Sequence, residues 1–598
     1  MSQLFKRTSM CGVLRTANAG ETVILNGWAA KQRSLGGLIF VDLRDKTGII
    51  QIVFDETAPK DVFQLASSIR SEYVIGVKGV VRERSSKNPD LPTGDIEVLA
   101  SDLVLYNKAE TPPIYVKDDD NVEDALRLKY RYLDLRKLKM QRNLSFRHRV
   151  TMIARNYFDE NGFTEVETPV LVRSTPEGAR DYLVPSRMNP GKFYALPQSP
   201  QLFKQLLMVG GTDRYMQIAK CFRDEDLRAD RQPEFTQIDL EMSFVDQDDV
   251  IAIQEGFLKR LFKETLNVEI KTPLPRIPYD EAMERYGSDK PDTRFGFELK
   301  NLSDLPCVKN TEFKVFADIL ASGGDVRGIC IDGGSSVYSR KKIDKLTQET
   351  KHYGAKGIVW IRVEEGGAFK SSVDKFFGKE ELSEIAEVFG AKPGDLILIV
   401  SDQPKVVFDS LGFLRRHIAD QMGLLDPKQF NLLWVTDFPM FEKDEEGNIT
   451  AMHHPFTHPK EEDIPLLDTD PMKVKALAYD IVLNGVEMGG GSIRIHDPAL
   501  QQKMFDILGI SKEESRIKFG FLLDAFKYGA PPHGGLAYGL DRMVMLLLGE
   551  SSIREVMAFP KNQNAQCLVS DAPNVVDEAQ LEELSIAVRS SAENGLSE

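Results

Sequence analysis

The sequence predicts a multidomain α+β protein, and three observations support that prediction. The chain has 598 residues, a length that suggests about four domains. Residues 8–107 contain short β-rich runs separated by Gly-containing turns, which is typical of a small barrel or sandwich. From residue 141 helix-like and strand-like runs are mixed, and a stretch rich in Lys, Glu and Gly interrupts them after residue 290. We therefore expect a β-barrel and a larger mixed domain with an insertion.

These changes in composition divide the chain into six segments. The acidic, Pro-containing stretch after the barrel favours a linker, and the mixed pattern with clustered polar residues resumes after the insertion. The predicted segments are a barrel at 1–107, a linker at 108–140, the two halves of the mixed domain at 141–290 and 426–563, an inserted α/β domain at 291–425 and a C-terminal extension at 564–598.

Charge and cysteine usage narrow the class of protein. The net charge of −15 argues against a protein that coats nucleic acid non-specifically, although eight Lys or Arg between residues 129 and 149 form a local basic stretch. That stretch is either a solvated helix face or a surface for a polyanion. No apolar run is long enough to span a bilayer, and the first residues lack the apolar core of a secretory signal. Five scattered cysteines without a CxxC pair predict a cytoplasmic location without disulfides or zinc.

The charged segment 221–244 is the first of three segments that indicate chemistry. It is predicted to form two strands joined by a charged loop, with Arg223 on one arm. Alternation along the other arm places Gln237, Asp239 and Glu241 on one face. A face with that many polar groups needs water or a ligand, and a solvated hairpin is the alternative interpretation.

The other two segments lie on either side of it in the chain. Residues 146–171 are predicted to form a long helix and then a strand containing Pro169, a residue typical of sheet edges and interfaces. Residues 533–549 contain glycines, then Arg542, then an apolar helix. Glycines there would let the backbone approach a ligand closely, and simple packing is the alternative.

In their order along the chain, the three segments resemble the signature motifs of class II aminoacyl-tRNA synthetases. That family has an antiparallel sheet flanked by helices and usually forms homodimers across the first motif. The N-terminal barrel is similar to the anticodon-binding OB domain of the aspartate, asparagine and lysine branch. Residues 175–181, 198–204 and 485–496 look like the aspartate enzyme, and the insertion resembles the domain that marks its bacterial type.

The resemblance implies a two-step reaction. Aspartate would attack the α-phosphate of ATP to give aspartyl-adenylate, and the aspartyl group would pass to tRNA(Asp) and, as in some bacterial-type relatives, also to tRNA(Asn). The attacking α-carboxylate has a pKa of about 3.5, so it needs no general base at neutral pH. Catalysis should therefore be positioning and electrostatic stabilisation.

The resemblance assigns the phosphate contacts to two arginines. Arg223 would hold the α-phosphate and Arg542 the γ-phosphate, with Glu225 as the third catalytic residue. Asp480 and Glu487 look like Mg²⁺ ligands, because hard oxygen ligands suit that ion. Without the resemblance, their spacing of seven residues indicates two surface acids on one helix face. The residues expected to bind ATP are Arg223, Asp224, Glu225, Gln232, Glu487, Gly539, Leu540, Asp541 and Arg542.

Specificity for aspartate is expected from Arg494, which offers a bidentate fork, and from Lys204, oriented by Asp239. Asparagine would place an amide NH₂ against that fork, a mismatch that can discriminate by roughly 10⁴-fold. Protonated His453 and His454 would add positive charge, and a metal site is their alternative role. An ordinary strand arginine is the alternative for Arg494. The residues expected to bind aspartate are Glu177, Gln201, Lys204, Arg223, Gln237, Asp239, His453, His454 and Arg494.

In the barrel, Phe40 is expected to stack on an anticodon base, and a core aromatic is the alternative. Arg33, Gln51 and Glu97 match positions that contact base edges in the family. Three other functions compete: an asparagine or lysine enzyme of the same branch, a ligase that forms asparagine without RNA, and a non-catalytic RNA-binding paralogue. The insertion and residues 485–496 argue against the first, the barrel against the second, and the intact catalytic residues against the third.

Overall fold

The computed structural model describes residues 4–119, 121–175, 179–227, 230–444 and 446–589. The N-terminal barrel closes in the order β1-β2-β3-β5-β4. Val23 and Leu25 are among the buried residues that alternate with outward residues along its first strand. The barrel elements are β1 (Thr22–Leu35), β2 (Leu38–Asp45), β3 (Gly48–Phe54), α1 (Lys60–Ser68), β4 (Val74–Glu83) and β5 (Ile96–Asn107).

Three helices lead from the barrel into the mixed domain: α2 (Asp124–Lys129), α3 (Arg131–Asp134) and α4 (Leu138–Glu160). The predicted boundary after residue 140 falls inside α4, which begins at Leu138.

The basic stretch 129–149 is not a uniformly solvated face. Arg131 is buried and donates to the carbonyls of Met557 and Ala558. Lys137 lies 2.8 Å from buried Asp134. Lys139 lies 2.8 Å from Glu550 and Arg147 lies 2.6 Å from Asp541, so these cations join the start of the mixed domain to its C-terminal part.

The first half of the mixed domain adds two hairpin arms and their supporting helices. Strand β6 is short and ends at Glu165, so Pro169 lies beyond it and the predicted strand through that proline is wrong. The elements are β6 (Thr164–Glu165), β7 (Leu183–Pro185), β8 (Phe193–Ala195), α5 (Gln201–Val209), β9 (Arg214–Phe222), β10 (Glu234–Ser243), α6 (Gln247–Leu266), β11 (Arg276–Pro278) and α7 (Tyr279–Tyr286).

The insertion contains both helices and strands, and its sheet has the order β12-β13-β16-β14-β15 with every pair antiparallel. Two hydrophobic clusters cover its two faces. Its elements are β12 (Lys300–Asn301), α8 (Pro306–Lys309), α9 (Lys314–Ala321), β13 (Asp325–Ile331), α10 (Gly334–Val337), α11 (Arg340–Thr350), β14 (Val359–Val363), β15 (Phe369–Ser371), α12 (Lys379–Phe389), β16 (Leu396–Asp402) and α13 (Pro404–Gln421).

The second half completes the sheet, and a short helix follows in the extension. The elements are β17 (Leu432–Thr436), β18 (Phe441–Lys443), β19 (Ile449–Ala451), β20 (Ala478–Leu483), β21 (Val486–Ile493), α14 (Pro498–Ile507), α15 (Lys512–Phe526), β22 (His533–Gly539), α16 (Leu540–Leu548) and α17 (Glu578–Glu583). Among the residues that the structure describes, no helix combines the length and apolar character needed to cross a bilayer.

The two halves form one eight-stranded sheet in the order β11-β17-β20-β21-β22-β10-β9-β6. Its inner pairs are antiparallel, and the pairs at its two edges are parallel. Helices α4, α6 and α16 pack against one face, where Ile238, Leu240 and Met242 of β10 enter the main hydrophobic core. The alternate residues of β10 therefore face the opposite side of the sheet.

Candidate active site

A cavity of about 510 Å³ opens on that opposite face and is lined by residues from both halves of the mixed domain. This volume lies in the range typical of small-molecule sites. Glu177 lies outside the described residues, and Asp224 and Leu540 do not line the cavity. The predicted residues that do line it are Gln201, Lys204, Arg223, Glu225, Gln232, Gln237, Asp239, His453, His454, Asp480, Glu487, Arg494, Gly539, Asp541 and Arg542.

Lys204, Asp239 and Arg494 line the bottom of the cavity, and Glu241 lies behind them; we call these four buried charges the floor. Lys204 Nζ lies 2.7 Å from Asp239 Oδ1 and 3.2 Å from Glu241 Oε2. Arg494 Nε donates to Glu241 Oε1 at 3.0 Å, and its Nη2 donates to Oε2 at 3.2 Å. Burial alone would raise the pKa of Glu241, but Arg494 and Lys204 outweigh it and lower that pKa to about 2. Each cation is therefore held in place by a carboxylate that stays ionised.

Glu241 is the residue of this floor whose role the sequence did not predict. The period-two pattern of β10 had placed it beside Asp239, but nothing local pointed to Arg494 as its partner. Gly535 on the neighbouring strand makes room for it, since a Cβ there would lie 2.1 Å from Glu241 Oε2. The predicted ligand-approach role of that glycine is therefore wrong, and the packing alternative is correct.

Arg494 is buried directly after β21 and is not an ordinary strand arginine. Its Nη1 donates to Ser492 Oγ at 2.6 Å, in addition to the two bonds that it makes to Glu241. A guanidinium has five N–H donors, so these three bonds leave two for another acceptor.

Arg223 and Arg542 also line the cavity. The Arg223 guanidinium carbon lies 5.1 Å from the centre of the Phe235 ring, and its buried Nε has no acceptor among the described residues. Arg542 donates to the carbonyl of Glu487 at 3.0 Å and to Asp230 Oδ2 at 3.2 Å. Unused N–H groups on two cations suit a polyanionic ligand such as a triphosphate.

The side chains of four residues expected to bind ATP have partners within the protein. Gln232 exchanges two hydrogen bonds with the backbone of Lys561. Asp541 accepts from Arg147 and from the Thr236 N–H. Asp224 lies 3.5 Å from Arg180, and the Leu540 side chain lies in the hydrophobic core. For Leu540 only the backbone is left for the predicted nucleotide contact.

Asp480 and Glu487 lie on the paired strands β20 and β21, so the interpretation as two acids on one helix face is wrong. Asp480 is buried, and a Cβ on Gly490 would lie 2.3 Å from its Oδ1. Burial, then the neighbouring Glu487, raises the pKa of Asp480 well above its ordinary value despite the presence of Lys290. A cation between these two neighbouring carboxylates would stabilise the ionised form of Asp480, and oxygen ligands of this kind suit a hard divalent cation.

The surroundings of His453 disfavour the predicted positive charge. Its ring packs edge-on against Phe438 in the cavity wall, and the side chain is exposed to the cavity. The surrounding protein removes enough water to lower the pKa of His453 to about 4, although Glu487 and Asp289 oppose the effect. His454 accepts from the Phe456 N–H through Nδ1. Among the described residues, neither histidine belongs to a cluster of three metal-ligating groups.

A titration checks the charge of His453. We expect its ring signal in the folded protein to titrate near pH 4, and a signal that titrates near pH 6.5 would contradict this. Because the unfolded chain binds the proton first, His453 should contribute stability above pH 6.5 that is lost as the pH falls towards 4. The measurement is a histidine-selective NMR titration, with His453→Asn to assign the signal among eight histidines.

On the barrel, the four predicted anticodon residues lie together outside the hydrophobic core, with Gln51 and Glu97 buried. Gln51 Nε2 donates to Glu97 Oε2 at 2.8 Å, and Arg33 Nη2 donates to Gln51 Oε1 at 3.2 Å. The Arg33 guanidinium carbon lies 5.8 Å from the centre of the Phe40 ring. Phe40 is half-buried and faces outward while Ile39 and Val41 enter the core, so the core-aromatic alternative is wrong.

A mainly antiparallel sheet with cationic groups converging on its open face, preceded by a five-stranded closed barrel, is the architecture of one branch of the class II aminoacyl-tRNA synthetases. Residues 123–563 match the family model described as tRNA synthetases class II (D, K and N). Residues 23–106 match the model of the OB-fold nucleic acid binding domain.

Curated relatives narrow the family further. An aspartate–tRNA ligase from Ruminiclostridium cellulolyticum is 58% identical over 586 residues, which is 98% of each chain. An aspartate–tRNA(Asp/Asn) ligase from Caldanaerobacter subterraneus is 56% identical, again over 98% of each chain. The chain therefore belongs to the aspartate–tRNA ligases.

A solved structure supports the fold independently. The asparaginyl-tRNA synthetase from Pyrococcus horikoshii, complexed with asparaginyl-adenylate, superposes with a TM-score of 0.58 at 20% identity. The match covers 93% of this chain and 98% of that one, so the overall architecture is shared although most residues differ.

Proposed function

We propose that the chain joins L-aspartate to tRNA(Asp) in two ATP-dependent steps, through an enzyme-bound aspartyl-adenylate. The observation that carries this proposal is the pair of buried cations on the cavity floor, Lys204 and Arg494, on the same cavity as Arg223 and Arg542. One pair suits a carboxylate side chain and the other suits phosphates.

The floor accounts for the choice of aspartate. Asp239 and Glu241 neutralise the two cations in the empty site and hold them in one geometry. The two remaining N–H donors of Arg494 would bind both oxygens of the substrate side chain. Asparagine would turn an NH₂ group towards those donors, and that buried mismatch disfavours it strongly.

The first step needs charge stabilisation. The α-carboxylate of aspartate attacks the α-phosphorus of ATP, the bond to the bridging oxygen breaks, and pyrophosphate leaves with the electron pair. Arg223 would stabilise the charge that grows on the α-phosphate oxygens, and Arg542 would hold the distal phosphates. Both cations are already placed in the folded chain, so little reorganisation is needed during the reaction.

Asp480 and Glu487 would hold a Mg²⁺ ion, which neutralises phosphate charge when bound. We expect Asp480→Asn to raise the Mg²⁺ concentration for half-maximal pyrophosphate exchange by about tenfold or more, because one anionic oxygen ligand is lost. Asp289→Asn, a change in an acid of the same cavity that is not proposed as a ligand, is the matched control. An unchanged Mg²⁺ dependence in Asp480→Asn would remove this residue from the ion site.

The proposed acceptor is bound at a distance from the chemistry, by the outer surface of the barrel. We expect Phe40→Ala to raise the KM for tRNA(Asp) by roughly 5- to 150-fold, the value of one lost base stack. Pyrophosphate exchange without tRNA should not change. Tyr528→Ala, which removes an exposed aromatic of the mixed domain, should alter neither. Equal KM values in wild type and Phe40→Ala would remove base stacking from that ring.

Two assays test the function as a whole. Aspartate should drive exchange of labelled pyrophosphate into ATP, whereas asparagine and lysine should not, and exchange driven only by one of those two would redirect the assignment within the branch. Charging of purified tRNA(Asp) and tRNA(Asn) side by side then measures the acceptor range. The Caldanaerobacter relative, named for both acceptors, makes tRNA(Asn) the second acceptor to test.

We also propose that two copies associate across the first motif. Met152, Val170 and Leu171 are exposed by 40%, 47% and 52% in the single chain, and exposed apolar side chains of this size are typical of a surface that binds another protein. We also propose a cytoplasmic location, which fits the five free cysteines. Sedimentation of wild type and Leu171→Asp, which places a charge in that surface, tests the association.

A further inference from the structure

Three buried polar side chains form a continuous path from the sheet to the cavity. His533 begins β22, and Gln205 and Gln201 lie one turn apart on α5. His533 Nε2 and Gln205 Nε2 lie 3.1 Å apart, and Gln201 Nε2 donates to Gln205 Oε1 at 3.2 Å. His533 and Gln205 are fully buried, so neither can exchange a partner with water. We call this path the relay.

The direction of every bond in the relay is set at its buried end. His533 Nδ1 lies 2.7 Å from the carbonyl of Pro531, which can only accept, so Nδ1 carries the proton. Burial lowers the pKa of His533, and the neutral ring has a lone pair on Nε2. Gln205 must then turn its NH₂ towards His533 and its oxygen towards Gln201. Gln201 in turn must direct its NH₂ towards Gln205.

This orientation leaves the amide oxygen of Gln201 for the cavity, which this residue lines. Within the described residues, the bond to Gln205 is the one hydrogen bond recorded for the Gln201 side chain. Aspartate has one group that donates hydrogen bonds, its ammonium, because both carboxylates only accept. An oxygen at this position receives the ammonium, whereas an NH₂ would oppose it donor to donor.

We infer that His533, acting through Gln205, orients the amide of Gln201 so that its oxygen receives the ammonium of aspartate. His533 and Gln205 are thus positioning residues, and Gln201 is the residue that contacts substrate. The inference rests on the proposed function, since it assumes that aspartate occupies the cavity. The oriented Gln201 would recognise the amino group of the substrate, whereas Arg494 would recognise its side chain.

The test compares aspartate with succinate, which has both carboxylates and no ammonium. In Gln205→Met, which keeps the length of the side chain and removes its amide, Gln201 can turn its NH₂ towards the wet cavity. Binding of aspartate must then bury an unpaired N–H, so its KM should rise about tenfold. The inhibition constant of succinate and the KM for ATP should stay within about twofold of wild type. A general distortion of the site would change the constants for aspartate and succinate together.

Two further variants complete the test. Gln205→Glu still offers an oxygen to Gln201. The ratio of the aspartate KM to the succinate inhibition constant should therefore be close to the wild-type value in this variant. In a Gln201→Met background, Gln205→Met should have no further effect on aspartate, because the residue through which it acts is gone. If Gln205→Met does not fold, His533→Phe interrupts the relay from its other end and should give the same change in ratio.

The two possible failures are distinguishable. Wild type without aspartate-dependent exchange would overturn the proposed function itself. The relay alone would be overturned if wild type is active and the ratio of the aspartate KM to the succinate inhibition constant is unchanged in Gln205→Met. Where Gln205→Met does not fold, the same ratio in His533→Phe decides. An effect of Gln205→Met that persists in the Gln201→Met background would also overturn it.

Discussion

Arg494→Lys is expected to lower kcat/KM for aspartate in pyrophosphate exchange by roughly 10³-fold. Lysine keeps the charge but offers one point donor group where arginine holds Glu241 with two N–H groups and keeps two for substrate. Two charge-assisted hydrogen bonds to substrate, worth about 1.5–3 kcal/mol each, would be lost. The KM for ATP should change little, since Arg494 lies on the floor and the phosphates bind elsewhere.

The alanine variant at the same position answers a different question. Arg494→Ala leaves Glu241 buried with Lys204 as its one cation among the described residues, so unfolding should become about 3–5 kcal/mol easier. Loss of activity in Arg494→Ala would then mix binding with stability, which makes Arg494→Lys the cleaner test. Arg516→Ala, in an exposed ion pair on α15, is the control and should change neither stability nor exchange. Arg494→Lys with a wild-type KM for aspartate would contradict the assigned role.

Arg223→Ala is expected to reduce kcat for exchange by about 10³-fold with almost no change in Tm. Removal of one preorganised group that stabilises transition-state charge typically costs 10²–10³-fold, and Arg223 is a full cation. Its recorded contact within the described residues is the Phe235 ring, and such a contact contributes only about 0.5–1 kcal/mol at a site open to solvent. The expected result is a stable, folded and nearly inactive protein.

Phe235→Leu provides the matched control for Arg223. It removes the ring beneath the guanidinium and keeps the cation, so exchange should fall by less than about tenfold. The Tm and the rate of pyrophosphate exchange are measured on the same preparations, which separates an effect on stability from an effect on catalysis. If Arg223→Ala kept more than about a tenth of wild-type kcat, this arginine would not be the group that stabilises the α-phosphate.

Local patterns were sufficient for several of these residues. Side chains along a strand alternate, so Gln237, Asp239 and Glu241 had to share a face wherever β10 lay in the sheet. A closed barrel was predictable from short β-rich runs and their turns. The spacing of Asp480 and Glu487 was ambiguous, since seven residues make two helical turns and also fit a tight hairpin. The neighbouring strands, which lie far away in the chain, resolve that ambiguity.

The resemblance of three short segments to the family's motifs was enough to predict the class of enzyme and the cations expected at ATP. Other properties depend on which distant residues become neighbours. Arg494 and Glu241 are 253 residues apart, and Gln205 and His533 are 328 apart, yet each pair is in direct contact. The lowered pKa of His453 and the orientation of the Gln201 amide depend on residues that are distant in the chain. Only the folded sheet brings those groups together and removes the water between them.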